Sequence, residues 1–300
     1  MFDLIAERYD FINRALALNL DMSWRHRLVK EVVGAEGELF AAAAAATTTT
    51  TGEGASSVKI LDLATGTADV AILLGKAAAQ YYSTNSIQIS SQTTKTYDNN
   101  DDAKTILGLD PSQNMLNVGV TKIQQSNLSH IVRLKLGDAR NLDSLARDSF
   151  DAVTMSFGIR NIPEKEVALC EIHRVLKKNY ESKLAIMEFS EPGPDSGILG
   201  SLARLFIRHI VPAIGAMLSG CPKEYMHLQK SIKNFPSPPE FVTLVEGLRC
   251  PMNVDRGENG DKNSDTDMFG SFRVQKVVNL NFGSVQIYVA TPVLKKYVTE

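Results

Sequence analysis

The stretch KILDLATGTADVAILL (residues 59–74) places a short apolar strand directly before a turn of small residues, after which the apolar pattern resumes. Four further runs with strand character follow, at residues 105–110, 132–137, 150–156 and 183–189. Segments with helical spacing, such as residues 165–178, separate them. This alternation predicts an α/β fold with a doubly wound parallel sheet.

The C-terminal part of the chain has a different pattern. FRVQKVVNLNFGSVQIYVATP (residues 272–292) contains two apolar runs joined by a tight turn at Asn281, Phe282 and Gly283. Such a pattern predicts an antiparallel hairpin, which we expect at one edge of the sheet.

Composition and charge exclude several classes of protein. Of the 300 residues, 44% are hydrophobic and 22% charged, and the formal net charge is −2. These values are ordinary for a globular chain and give no general attraction to nucleic acid, so no nucleic-acid partner is expected. The five histidines lack ligand spacing, so we expect no metal. The N-terminus carries early acids and no apolar core, which indicates that this chain has no targeting peptide.

The three cysteines, Cys170, Cys221 and Cys250, are odd in number and widely spaced. They favour neither a disulfide framework nor a zinc site, and a reducing compartment fits them best. Three stretches poor in core-forming residues, 41–57, 81–102 and 249–267, are interpreted as mobile loop insertions. Because closing a longer loop costs little, we expect one domain over residues 1–300 that carries all three.

The small-residue turn predicts a ligand site, because ligands of such sheets bind beyond the carboxyl ends of the strands. Gly66 lets a ligand approach the backbone, but the spacing is not GxGxxG, so a pyrophosphate-bearing dinucleotide is disfavoured. Asp110 ends the second strand, where a carboxylate can accept from both hydroxyls of a ribose. Asp138 and Ala139 follow the third strand, where an adenine could be held. A nucleoside with a non-phosphate tail is implied, and S-adenosylmethionine is the common one.

Each of these residues also has a structural interpretation. Gly66 can serve the turn alone, Asp110 can cap the helix that begins near Ser112, and Asp138 can be an ordinary turn residue. The combination favours the ligand site over the separate structural roles.

The chain resembles the quinone-biosynthesis C-methyltransferases, which methylate demethylmenaquinol and polyprenyl-benzoquinol rings with S-adenosylmethionine. The resemblance covers nearly the whole chain outside the three insertions. It is carried by a set of motifs: RYDFINRALALNLDMSWR, LDLATGTAD, GLDPSQNML, SFGIRNI (156–162), IMEFSEP (186–192) and the segment from His209 to Phe241. It implies a class I, Rossmann-like methyltransferase sheet that ends in an antiparallel hairpin.

The resemblance implies cofactor contacts in the turn and at the strand ends: Gly66, Thr67, Asp110, Asp138, Ala139 and Ser156. Two departures from the family pattern stand out. Ala68 replaces a glycine in GTGD, which requires a backbone conformation that alanine can adopt. Residues 178–181 replace a Pro-Gly-Gly turn before the fifth strand, which puts the geometry of that loop in doubt.

Methylation of a hydroquinone ring requires a group that removes or stabilises a phenolic proton, because phenolate formation makes the ortho carbon nucleophilic. Arg160 is the first candidate, since a fixed positive charge lowers the pKa of a phenol directly or through water. Tyr9 and Asp10 are candidates to orient the ring or accept the proton. The alternatives are that Arg160 and Asn161 brace a loop, and that Tyr9 and Asp10 cap a helix.

The resemblance also implies a substrate with a long isoprenoid tail. Residues 197–220 are apolar but interrupted by Arg204, Arg208, His209 and Pro212, so we expect a helical cover with contact to a membrane surface rather than a membrane span. A pair of core helices is the alternative. A homodimer or a quinone-synthesis complex is compatible with the sequence, in the cytoplasm or in a mitochondrion or plastid.

Three functions remain open on the sequence. They are a quinol C-methyltransferase acting on a naphthoquinol or a benzoquinol, with the naphthoquinol slightly favoured, a nicotinamide-dependent oxidoreductase, and a non-catalytic subunit of a quinone-synthesis complex.

Overall fold

Seven strands form one sheet in the part of the chain that the structure describes. The structure, a computed structural model, describes residues 10, 11, 14, 17, 19–47, 58–85, 105–190, 197, 230–251 and 268–296. The strands are β1 (Ile60–Leu63), β2 (Ile106–Asp110), β3 (Val132–Leu136), β4 (Ala152–Ser156), β5 (Lys183–Phe189), β6 (Met268–Leu280) and β7 (Val285–Lys296). Each lies where the sequence predicts a strand.

The sheet order is β3-β2-β1-β4-β5-β7-β6. The first five strands in this order are parallel, whereas β7 pairs antiparallel with both β5 and β6. The predicted doubly wound sheet with an antiparallel hairpin is therefore confirmed. The order reverses between β1 and β4, which is the topological switch point where such sheets bind ligands.

Helices cover both faces of the sheet. They are α1 (Leu20–Val33), α2 (Glu38–Thr47), α3 (Asp69–Thr84), α4 (Gln113–Gln125), α5 (Lys165–Val175) and α6 (Pro238–Glu246). One apolar core contains Leu28 of α1 and Leu74 of α3, packed with Ile60 of β1. The other contains Leu169 of α5 and Phe241 of α6. Successive strand residues point to opposite faces, so both sides of the central strands are buried.

The start of α4 decides between two interpretations of Asp110. Ser112, not Asp110, is the N-cap, because its hydroxyl accepts a hydrogen bond from the backbone N–H of Met115 at 3.2 Å. The helix-cap interpretation of Asp110 is therefore wrong, and its carboxylate serves the turn described below.

Parts of two of the three predicted insertions belong to helices, which corrects their boundaries. Residues 41–47 continue α2, since a run of alanine has the highest helix propensity. Residues 81–84 complete α3, and Tyr81 and Tyr82 pack on Phe40 with ring centroids 5.5 and 5.7 Å away. Residues 48–57, 86–104 and 252–267 lie outside the described residues.

The cysteine prediction is wrong. Cys170 of α5 and Cys250 form a disulfide across 80 residues, with their Cα atoms 5.0 Å apart. Cys250 is buried, and its backbone exchanges two hydrogen bonds of 2.9 Å with Gly270 of β6. The pairing depends on α5 packing against β6, a contact that residue spacing does not reveal. Cys221 lies outside the described residues.

The loop before β5 has a defined geometry although it lacks the Pro-Gly-Gly turn. The Asn179 side-chain oxygen accepts from the backbone N–H groups of Glu181 and Ser182, at 3.1 and 2.8 Å, and from the Ser182 hydroxyl at 2.8 Å. Asparagine thus supplies the turn through its side chain.

Within the described ranges, no helix is long and apolar enough to cross a membrane. The predicted cover at residues 197–220 lies outside them, apart from Gly197.

Candidate active site

A cavity of about 300 Å³ opens at the carboxyl ends of β1, β2, β3 and β4. This volume lies at the lower end of the range for small-molecule sites. Its walls are mostly apolar, with a few polar groups, and include Ala64, Gly66, Asp110, Pro111, Met115, Asp138, Ala139, Arg140, Ser156, Phe157, Gly158, Asn161, Ile162 and Pro163. Five of the six residues expected to contact the cofactor thus line one cavity: Gly66, Asp110, Asp138, Ala139 and Ser156.

The turn after β1 is held by Asp110. One carboxylate oxygen of Asp110 accepts from the Gly66 N–H and the other from the Ser112 N–H, each at 2.9 Å. Gly66 has φ +55°, and a Cβ there would meet nothing within 4 Å, so its left-handed backbone is what makes glycine suitable. Each carboxylate oxygen has further acceptor capacity, which leaves Asp110 able to accept from a ribose while it holds the turn.

Two alanines in this turn also have left-handed backbones. Ala64 has φ +51° and Ala68 has φ +67°, a conformation that costs about 1–2 kcal/mol for a residue with a Cβ. Ala68 is the N-cap of α3 and is fully buried. Its methyl group packs towards Gly119 of α4, where a Cβ would lie 3.2 Å away. The substitution of glycine by alanine is therefore accommodated, as expected, at some cost in strain.

A buried carboxylate that the sequence analysis missed lies beneath the turn. Asp62 of β1 accepts 2.6 Å hydrogen bonds from the hydroxyls of Thr65 and Thr154. Burial, with a smaller contribution from the negative charge of Asp110, raises its pKa to about 6 although the two hydroxyls act to lower it. Asp62 ties the turn to β4. An acidic residue inside the apolar run ILDL was the signal that could have identified it.

Asp138 has the turn role that the sequence left open, and its contact with an adenine stays a prediction. Its carboxylate accepts from the backbone N–H of Arg140 at 2.9 Å, as in a tight turn, and forms an ion pair with the Arg140 guanidinium at 2.7 Å. The hydrogen bonds from the Arg140 side chain lower the pKa of Asp138. Arg140 also contacts Glu164 at 2.8 Å, so its guanidinium is fixed at the rim of the cavity.

The loop after β4 forms the wall opposite the turn. The Ser156 hydroxyl is buried there without a hydrogen-bond partner. Phe157 has φ +57°, which is unusual for a bulky residue and costs of order 1–3 kcal/mol. Gly158 lies so close to β1 that a Cβ would come within 2.5 Å of the Ala64 methyl group. The two loops therefore touch at the base of the cavity.

Arg160 is paired rather than free. Its guanidinium forms an ion pair with Glu188 of β5 and donates to the carbonyl of Phe157 at 3.1 Å, and only 7% of its side chain is exposed. It is not among the cavity-lining residues, whereas Asn161 is. This geometry gives Arg160 the bracing role considered above, and its effect on a phenol stays a prediction. Tyr9 lies outside the described residues.

Thr67 is directed towards the N-terminal segment. Its hydroxyl donates to Asp10 at 2.7 Å and accepts from the Lys122 ammonium at 3.0 Å. Lys122 also reaches Asp10 at 2.7 Å and Asp69 at 2.5 Å. Burial raises the pKa of Asp69, but the charges of Lys122 and Arg25 outweigh it and hold that pKa below its usual value. Thr67 is 3% exposed, and its contact with a cofactor stays a prediction.

Comparison with known proteins identifies the family. The model of the ubiE/COQ5 methyltransferase family matches residues 1–249. The chain belongs to the ubiE/COQ5 methyltransferase family. It is 34% identical over 245 residues to a demethylmenaquinone methyltransferase of Deinococcus radiodurans, covering 82% of this chain and 81% of the relative. It is 31% identical over 248 residues to a ubiquinone/menaquinone biosynthesis C-methyltransferase of Geotalea uraniireducens, covering 83% and 85%.

A solved O-methyltransferase family protein from Burkholderia thailandensis has the same fold, with a TM-score of 0.50 and 12% identity over 95% of this chain and 59% of that one. As a ubiE/COQ5 family member, the chain is an S-adenosylmethionine-dependent methyltransferase, as the resemblance implied, and the nicotinamide-dependent alternative is wrong.

The cavity residues fit this methyl donor. Asp110 offers a carboxylate for the ribose, and Met115, Ala139 and Ile162 give the cavity apolar surface for a base. The Ser156 hydroxyl, buried without a partner, is suited to a polar group of a ligand.

Proposed function

We propose that this protein methylates a ring carbon of a polyprenyl quinol, with demethylmenaquinol as substrate and menaquinol as product. The observation that carries the proposal is the family match over residues 1–249. The 34% identity to a demethylmenaquinone methyltransferase supports the naphthoquinol ring. A benzoquinol of ubiquinone biosynthesis is the second candidate, supported by relatives whose names include both quinones.

In this proposal the residues on the turn side bind the methyl donor. Asp110 accepts from the ribose hydroxyls, the Gly66 backbone approaches the ligand closely, and Asp138 and Ala139 bound the adenine. Ser156 donates to or accepts from a polar group at the centre of the cavity. When bound, S-adenosylmethionine supplies an electrophilic methyl group on a sulfonium.

The remaining residues prepare the quinol. A hydroquinone carbon becomes nucleophilic when the adjacent hydroxyl loses its proton, so the site must favour a phenolate. Asn161 presents an amide to the cavity, and Arg160 contributes positive charge from behind the wall, reduced by its pairing with Glu188. Tyr9 is the candidate to orient the ring. The neighbouring Asp10 is anchored by Thr67 and Lys122 beside the turn, which supports that assignment.

The isoprenoid tail requires apolar surface. We assign it to the segment at residues 197–220, which the sequence predicts to be a helical cover that contacts a membrane surface.

The purified protein should transfer a methyl group from S-adenosylmethionine to demethylmenaquinol in detergent micelles, with the product identified by mass spectrometry. A demethylated benzoquinol in the same assay tests the second ring. If the protein binds S-adenosylmethionine but methylates neither quinol, the non-catalytic subunit becomes the better interpretation.

A further inference from the structure

Glu188, in the motif IMEFSEP, is fully buried near the end of β5. One carboxylate oxygen accepts from the Phe189 N–H at 2.8 Å and forms the ion pair with the Arg160 guanidinium. The other accepts from the Arg160 N–H at 3.3 Å. Glu188 therefore holds Arg160 through both its backbone and its side chain.

Arg160 passes this constraint to the cavity wall. The same nitrogen that pairs with Glu188 donates to the carbonyl of Phe157 at 3.1 Å, while the Phe157 N–H donates to the Met187 carbonyl at 2.8 Å. The guanidinium lies 5.5 Å from the ring centre of Phe189, which stacks on Phe157 at 4.4 Å. The left-handed Phe157 is thus fixed at both backbone groups and at its ring.

The wall residues depend on this arrangement. Ser156, Phe157, Gly158 and Asn161 all line the cavity and belong to the loop that Glu188 and Arg160 hold. A strained residue persists only where its surroundings determine its conformation. Release of Arg160 from Glu188 would let Phe157 relax and would move the groups beside it.

We propose that Glu188 is a positioning residue for methyl transfer, acting through Arg160 to hold the loop at residues 156–161 in its reactive shape. This inference rests on the proposed function. The stability of the fold does not by itself explain the buried ion pair of Glu188 with Arg160. Well-packed apolar residues often replace such a pair without loss of stability. The pair instead fixes one geometry of a loop that lines the cavity.

The test compares Glu188→Gln with the wild-type protein in the demethylmenaquinol assay. Glutamine keeps the shape and one acceptor but removes the charge that holds the guanidinium. We expect kcat to fall at least tenfold, while calorimetric titration shows a Kd for S-adenosylmethionine within threefold of wild type. Binding should survive because Asp110 of β2 and Gly66 in the turn after β1 lie outside the released loop.

Glu246→Gln is the matched control. Its carboxylate accepts from the Val274 N–H at 2.9 Å, on α6 and outside the cavity wall. Its kcat per folded molecule should equal that of wild type. If Glu188→Gln retains kcat within twofold per folded molecule, or if a smaller folded fraction accounts for its whole loss of activity, the positioning role is refuted.

A double-mutant cycle tests the route through Arg160. Arg160→Gln should lower kcat, and adding Glu188→Gln should lower it no further, since both changes release the same loop. If the double variant loses kcat by the product of the two single-variant factors, the proposal is overturned. If Glu188→Gln folds poorly, Glu188→Asp must show a reduced kcat per folded molecule, and a wild-type kcat there overturns it equally. A wild-type enzyme that methylates no quinol defeats the proposed function itself, which separates the two failures.

Discussion

The turn after β1 and the loop after β4 face each other across the cavity, and both contain left-handed residues that are not glycine. They are braced by different chemistry. The turn is held by the carboxylates of Asp62 and Asp110, which accept from neutral hydroxyls and N–H groups. The loop is held by the ion pair of Arg160 with Glu188 and by two stacked rings. The difference teaches that the cofactor wall is braced by hydrogen bonds to two carboxylates, whereas the loop wall is braced by an ion pair.

The largest effect on the free energy of unfolding is expected at the disulfide, which lies outside both loops. It serves as a reference for the effects at the two loops. Cys250→Ser opens a link across 80 residues and should lower the free energy of unfolding by about 4 kcal/mol. Denaturant unfolding with and without reductant measures the loss, and the variant should not respond to reductant. Methyl transfer per folded molecule should be unchanged. A specific loss of activity would mean that α5 couples the disulfide to the loop after β4.

The comparison can next be tested through pH, because the carboxylate of Asp62 is buried and accepts hydrogen bonds from neutral hydroxyls. Its pKa is raised to about 6 in the folded protein from an ordinary value near 4, so its contribution to stability is complete below pH 4 and is lost as pH rises through 6. The difference in unfolding free energy, wild type minus Asp62→Asn, should fall by about 3 kcal/mol between pH 3.5 and 7.5. Denaturant unfolding at both values measures it. A constant difference would contradict the raised pKa.

A binding experiment tests how much the wall that contains Asp110 contributes to holding the cofactor. Asp110→Asn keeps an acceptor for the Gly66 N–H but removes the charge offered to the ribose, so the Kd for S-adenosylmethionine should rise about 100-fold, or about 3 kcal/mol. Calorimetric titration measures it. Asp151→Asn is the control, because that carboxylate accepts from the Lys59 N–H at the opposite edge of the sheet. If both substitutions raise the Kd equally, the negative charge of Asp110 has no specific role in binding the cofactor.

The smallest effect is expected where the turn meets the N-terminal segment. Lys122→Met removes the ammonium from Asp10, Thr67 and Asp69, all reached within 3.0 Å. Because this ion pair is partly exposed, the free energy of unfolding should fall by only about 1 kcal/mol, and the Kd for S-adenosylmethionine should rise no more than about fivefold. The exposed Lys135→Met serves as the control. A hundredfold loss of binding would make the N-terminal segment part of the cofactor wall.

The strands, the hairpin and the position of five candidate residues at one cavity could be predicted because each depends on a local pattern. These five, Gly66, Asp110, Asp138, Ala139 and Ser156, lie at or just after strand ends, and parallel strands bring those ends to one edge. Contacts between residues far apart in the sequence were not predicted: the Glu188–Arg160 ion pair was missed, and the cysteine prediction was wrong. Glu188 and Arg160 are 28 residues apart, and the two paired cysteines 80 apart, so only the packing of the finished sheet reveals them.

The low-complexity composition also led to wrong boundaries where the predicted insertions included residues that belong to helices. The alanine run that extends α2 and the Tyr81–Tyr82 pair that ends α3 lie next to polar stretches, and composition alone placed them with those stretches. The contacts of Phe40 with both tyrosines explain why α3 continues through them.

The positions of two of the polar stretches have a practical consequence. Val58 leads into β1 and Thr105 leads into β2, each at the amino end of its strand. Both connections therefore reach the edge of the sheet opposite the cavity. An affinity peptide or fluorescent label inserted directly before Val58 or Thr105 should leave turnover intact.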